Sequence, residues 1–322
     1  MKQGILHALV LVVAVGLGGA APQSTGPEPQ QPTFRTRVDL VAVDVAVHRG
    51  GRPVAGLSKT DFEVFDNGVR QTIERVGGEN IPLEAWLVLD VSGSLQGQPL
   101  VQLQEAASAF AAALAAGDRA GLVTFSHDVL VAQPLTDDLP AVRTAVSQVR
   151  AGGATALYDA TYVTLQLRRP SATRGVAVVL TDGADNASWL TAERVLEAAR
   201  SSDLVLYGIG VNEPTPTAAR ISGEPIRHPA PRPPSFTDLP QYRFLRGLAA
   251  IGAGVVFDAS FATLRETFAR VLADIRARYL LLYYPTDAKP GWHTLQVKLR
   301  GVRGEVTARR GYWVASLPAG SK

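Results

Sequence analysis

An acid and two hydroxyls close a short apolar run at residues 87–94, LVLDVSGS, where Asp90, Ser92 and Ser94 alternate with other residues. The run reads as a buried strand, and the Gly-bearing turn after it gathers three oxygen-bearing side chains at one point. Such a set suits a hard divalent cation, because magnesium takes one or two carboxylates together with neutral oxygens and keeps some water. An ordinary reading is also open: Asp90 as a strand-end turn former, with Ser92 and Ser94 capping the next helix. Two further segments bear on the choice. GGATALYDA at 152–160 offers Thr155 after paired glycines, and VAVVLTDGADN at 176–186 offers Asp182 after a second apolar run that ends in an acid.

An acid with two serines, a threonine after paired glycines and an acid in T-D-G, in that order, resembles the metal-ion-dependent adhesion site of von Willebrand factor type A domains. The resemblance implies that Asp90, Ser92, Ser94, Thr155 and Asp182 match its five ligand positions. It further implies that the hydroxyls reach the metal directly or through water, and that the acids ligate directly or hold those waters. One coordination position stays open for a partner's carboxylate. The ion implied is Mg2+ or Mn2+, with Ca2+ as a further possibility, and the partner implied is a protein that supplies an Asp or Glu. Asp159 follows Thr155 by four residues and is a candidate to bond groups behind the ligands; Asp185 could do the same or join Asp182 on calcium. Both are also ordinary partners for a helix dipole.

These residues need a scaffold that brings three loops together. Apolar runs at 86–90, 120–125, 176–181, 204–210 and 254–257 read as buried parallel strands, with a further strand near 129–135 as an antiparallel edge. Helices fit 99–116, 139–150, 156–169, 191–202, 241–251 and 261–276, the first having Leu100, Leu103, Ala107, Phe110 and Leu114 at helical spacing as core and Gly117 as its stop. The fold class expected is α/β, a doubly wound and mostly parallel sheet of Rossmann-like type. Ligands of such sheets collect beyond the carboxyl ends of the strands, where Asp90 and Asp182 fall.

Both flanks read differently. Val41, Val43, Val45 and Val47 alternate as in a half-buried strand, and Asp66, Asn67 and Gly68 separate two alternating runs as in a hairpin. YLLLYYP, HTLQVKLRG and EVTARRGYWV return to strand signals after Arg278. DFEVFDNG before the centre, with RYLLLYYP and ARRGYWV after it, resembles the bacterial type A domain-related proteins described mainly from Acidobacteria, over about residues 34–315. The expected organisation is a signal peptide at 1–21, a linker at 22–33, a β segment at 34–84, the A domain at 85–277 and a β segment at 278–315. The two β segments are expected to pack as one β-sandwich-like module. The Pro-rich stretch 212–240 reads as an insertion, a surface excursion or a specificity loop.

Lys2, the apolar stretch from Ile5 to Leu17 and the small residues 18–21 read as a secretory signal, with a retained anchor as the alternative. With 322 residues, 46% hydrophobic content and no Cys, an exported chain must be held by core packing without disulfides, which suits a bacterial envelope or secreted protein. The net charge of +3, or +2 without Lys2, is scattered and does not form a nucleic-acid-binding stripe. The histidines at 7, 48, 127, 228 and 293 lack zinc-hydrolase spacing, and no nucleophile elbow or P-loop occurs. The function expected is therefore a non-enzymatic, metal-dependent protein-binding role, without a membrane span after signal cleavage. A metal-dependent hydrolase using Asp159 or His127 as base, and a scaffold whose site serves only folding, are the alternatives.

Overall fold

The computed structural model describes residues 40–78, 81–169, 173–212 and 239–314. The expected signal and the linker lie outside these residues, as does nearly all of the Pro-rich stretch. The chain begins with β1 (Val41–Arg49), which pairs with the short β2 (Arg52–Pro53). Next come β3 (Phe62–Asp66), β4 (Val69–Gln71) and β5 (Ile73–Gly77). The expected hairpin forms between β3 and β4, closed by Asn67 and Gly68 at φ 48° and 81°. Both values are positive, as a two-residue turn matching strand twist requires, and Asn and Gly tolerate them.

The central α/β domain follows. Its sheet contains β6 (Leu83–Asp90), β7 (Arg119–Phe125), β8 (Val129–Thr136), β9 (Arg174–Thr181), β10 (Val205–Val211) and β11 (Val256–Ala259). The order is β11-β10-β9-β6-β7-β8, parallel except for the antiparallel edge strand β8. Alternation along β6 assigns the helices to two faces. Leu83, Ala85, Leu87 and Leu89 pack with α1 (Gln98–Ala112), α2 (Leu139–Gln148) and α6 (Leu264–Arg276). Trp86 and Val88 pack with α3 (Leu157–Leu167), α4 (Ala192–Ala199) and α5 (Pro240–Gly252). A strand buried on both faces must be apolar throughout, which is why these strands read as unbroken runs.

The largest difference in a helix boundary is at the end of α1. α1 ends at Ala112 rather than 116, and Leu100 is only half-buried. The Asp118 carboxylate accepts from the amides of Ala115 (2.7 Å) and Leu83 (2.9 Å), so it draws residues 113–117 out of the helix toward the start of β6.

After α6 the chain adds β12 (Tyr279–Tyr283), β13 (Gly291–Leu299), β14 (Glu305–Ala308) and β15 (Gly311–Val314). Strands from before and after the central domain mix in two sheets, β14-β1-β12-β5 with β2 on β1, and β15-β13-β3-β4. Val43, Val45, Phe62, Val64, Leu281, Tyr283 and their neighbours form one core that includes residues of both sheets. β1 is not the half-buried strand its alternation predicts: Asp44 and Ala46, on its other face, are buried too. Asp44 meets two buried arginines there. Arg174 Nε donates to it at 2.5 Å, and Arg278 Nε donates to its other oxygen. Arg174 also donates to the carbonyls of Ile275 and Arg278, both at 2.8 Å, so the start of β9 is tied to the end of α6 and to β1. Among the described residues, no helix is long and apolar enough to cross a membrane.

Candidate metal centre

β6 and β9 are neighbouring parallel strands at the point where strand order reverses, so a crevice opens beyond their carboxyl ends. Asp90 is the last residue of β6, and Asp182 follows the last residue of β9. After Asp90 the chain makes a short 3-10 turn at Gly93–Leu95, which brings the Ser92 and Ser94 hydroxyls within 3.1 Å of each other. The Ser94 hydroxyl donates to Asp182 Oδ1 at 3.0 Å, across 88 residues of sequence. Four of the five residues singled out in the sequence are thereby linked through adjacent loops.

The fifth arrives from the loop before α3. Gly93 donates to the Gly153 carbonyl at 2.9 Å and Gly152 to that of Val91 at 2.8 Å, which lays the loop holding Thr155 against the serine turn. A Cβ on Gly153 would sit 2.5 Å from the His127 ring, and its φ is +85°, so this approach needs glycine for both space and conformation. Thr155 is buried, and its Oγ1 lies 3.7 Å from where a Cβ on Gly183 would stand, beside Asp182. Among the described residues, the Thr155 hydroxyl makes no hydrogen bond.

Two residues that sequence reading left without a role hold this set in place. Thr181 donates to Asp90 Oδ2 at 2.7 Å, while the Ser92 amide donates to Oδ1 at 2.9 Å. Asn186 accepts from the Thr155 amide at 2.8 Å and donates its own amide to the Thr155 carbonyl at 3.0 Å. Both lie in the quoted TDGADN run, so proximity to Asp182 was the only signal available.

Asp159 and Asp185 bond the backbone of the neighbouring loop and helix. Asp159 accepts from the amides of Trp189 (2.9 Å) and Leu190 (3.0 Å) and so pins the 188–190 loop. Asp185 accepts from the Tyr158 amide at 3.0 Å in the first turn of α3 and from the Ser188 hydroxyl at 2.6 Å. The carboxylates serve as backbone acceptors at a helix start. His127 is exposed and pairs with Asp128 at 3.0 Å.

The electrostatics fit a cation. Burial pushes the Asp90 carboxyl up to about 6; hydrogen bonds from Ser92 and Thr181 oppose this, and the charge on Asp182 adds to it. Burial likewise raises Asp182, opposed by Ser94. No Lys, Arg or His pairs with either acid among the described residues. Among those residues, no group of three or more His, Cys, Asp or Glu is placed to hold a metal. An ion here would thus be held by two carboxylates and neutral hydroxyls, the donor chemistry that suits magnesium or manganese.

The strand order defines a doubly wound α/β domain with a crevice at its switch point. Residues 86–242 match the model of the von Willebrand factor type A domain family. Among solved structures it is similar to a von Willebrand factor type A protein from Catenulispora acidiphila, at 17% identity over 81% of this chain and 74% of that one, with a TM-score of 0.50. It is also similar to an aerotolerance-related membrane protein from Bacteroides fragilis, at 19% identity over 60% of this chain and 98% of that one, with a TM-score of 0.45. Proximal thread matrix protein 1 from the mussel byssus, with a zinc-occupied MIDAS motif, matches at 17% identity over 64% and 48%, with a TM-score of 0.48. At 17% identity the similarity to the Catenulispora protein establishes the fold alone. A comparison with curated proteins finds no match.

Proposed function

We propose that the protein is exported to the periplasm, cell envelope or medium, and that its A domain binds Mg2+ or Mn2+ to capture a protein partner. Asp90, Ser92, Ser94, Thr155 and Asp182 hold the ion, and an Asp or Glu carboxylate of the partner completes its coordination. The observation that carries this reading is the Ser94 hydroxyl, which bonds both Ser92 and Asp182 and so joins two strand-end acids that lack a basic neighbour. A bound ion supplies positive charge to an incoming carboxylate; two fixed carboxylates neutralise less of that charge than three or four would. Thr181 and Asn186 orient Asp90 and Thr155 before any ion arrives, a role whose loss costs affinity without removing a ligand.

Binding without catalysis is the reading we favour over hydrolysis. Both oxygens of Asp159 are engaged by backbone amides, and His127 is engaged by Asp128, so neither candidate base is free for water. The two flanking sheets are read as one sandwich-like support, in keeping with the likeness to the Acidobacteria proteins. The test is to titrate magnesium and manganese into the mature protein and follow its melting temperature. Wild type should gain stability and Asp90→Ala should not; an equal response in both would remove the site assignment.

A further inference from the structure

Next to the five oxygen ligands an open groove of about 340 Å³ runs along α3, with His127, Asp128, Asp159, Tyr162, Trp189 and Leu190 in its walls. Groove and ion site share a boundary. The His127 ring packs on Gly153, whose carbonyl accepts from Gly93 between the two serines, and Asp159 stands in the first turn of the helix that follows Thr155.

The lining has a definite chemical character. Trp189 is 95% exposed, yet its backbone is fixed by Asp159, so the indole is held out in solvent by an ordered loop. Tyr162, three residues beyond Asp159 on α3, is exposed too. Asp128 is largely exposed and pairs with the exposed ring of His127, Asp159 adds a second negative charge, and among the described residues no Lys or Arg lines the groove. Aromatic faces beside carboxylates favour a cationic side chain, which gains from the ring quadrupole and from the acids together. An acidic side chain would be repelled, and an apolar one would gain nothing from the acids.

We propose that this groove receives a Lys or Arg side chain of the same partner segment whose Asp or Glu reaches the ion. The recognised motif is then an acid and a base a few residues apart on one extended strand or loop. The inference rests on the metal reading above. It adds what that reading lacks, a reason for one acidic segment to be preferred over another.

The test uses the full mature chain and synthetic peptides displayed densely on a sensor surface, so that weak single contacts are read through avidity. Each peptide carries one Asp, a spacer of one to four glycines, and then Arg, Lys, Leu or Glu; a further set has Asn in place of Asp. With magnesium present, the best Arg or Lys peptide should bind about three- to tenfold tighter than its Leu counterpart, and the Glu peptide should bind weakest. Trp189→Ala and Asp128→Asn should erase that preference while leaving magnesium-dependent binding of the Leu peptide intact. Both side chains are largely exposed, so neither change threatens the fold. Equal binding of the Arg, Leu and Glu peptides, or a preference that survives both substitutions, overturns the groove assignment and leaves the ion site standing. If no peptide depends on magnesium or on its Asp, the metal reading has failed and this inference falls with it.

Discussion

Two of the buried acids in this molecule, Asp44 and Asp90, handle their charge in opposite ways. Asp44 sits where β1 meets the central domain and is enclosed by the guanidinium groups of Arg174 and Arg278, each at most 1% exposed. Those arginines hold its carboxyl below the usual range against the opposing effect of burial. Asp90 is buried as deeply, but it is given only hydroxyl and amide donors, and its carboxyl rises. A buried charge without a counter-charge is costly unless something else supplies one. The first arrangement finds its counter-charge within the chain and joins parts of the structure; the second would take its counter-charge from the cation proposed above.

The most damaging change should be Asp44→Ala, which strands two buried arginines and is expected to cost about 3–5 kcal/mol in urea unfolding. A loss below about 1 kcal/mol would mean that water reaches the pair and that the contrast between the two places is false. Asp90→Asn should act in the other direction without metal, adding up to about 3 kcal/mol at neutral pH because it removes an unpaired buried charge. In the same variant the gain of about 2.7 kcal/mol expected for wild type at a hundredfold excess of magnesium over Kd should be absent. A variant that is destabilised in chelator yet still responds to magnesium would contradict both halves of this prediction.

The pH dependence should separate the two places further. The Asp90 carboxyl is raised from 3.8 to about 6, so the folded state binds its proton more tightly than the unfolded state does. Its contribution to stability is full below about 4 and is lost as pH rises to about 6. Asp44 is lowered, so its contribution is present above 3.8 and is lost as pH falls through its folded value. Unfolding of wild type and Asp90→Asn in chelator between pH 4 and 7 should therefore show a steeper downward slope in wild type than in the variant, which keeps only the raised Asp182. Parallel profiles would rule out an uncompensated Asp90. The smallest effect is expected from Asn186→Ala, which unclasps Thr155 without removing a ligand. Magnesium affinity should drop about tenfold by calorimetry with little change in stability in chelator.

Much of this was legible in the sequence for reasons of geometry. Parallel strands covered on both faces, such as β6 and β9, must be continuous apolar runs, and the acids that end them mark the carboxyl edge. The run Asp90, Ser92 and Ser94 is local, so its spacing survives intact into the 3-10 turn. What was hidden depends on distant partners. Nothing near Asp44 announces Arg174 or Arg278, which are 130 and 234 residues away, so β1 read as half-buried. Thr181 and Asn186 gain their roles only when loops from separate strands meet, and the end of α1 is set by Asp118 bonding back to Ala115 and Leu83. Asp159 and Asp185 read as candidates to bond groups behind the ligands, and the groups they bond are backbone amides that distant segments supply.

The pairing of β5 with β12 has a mechanical consequence. Gly77 and Leu280 are register partners, so the chain leaves for the central domain and returns from it on adjacent hydrogen-bonded strands. Tension pulling residues 40 and 314 apart passes from the strands before the central domain to those after it through the ladders β1–β12, β1–β14, β3–β13 and β5–β12. The central domain hangs off the load path as a loop clamped at its neck. A tethered molecule under drag would then keep the crevice at Asp90 and Asp182 undistorted until these ladders between the two flanks are sheared apart.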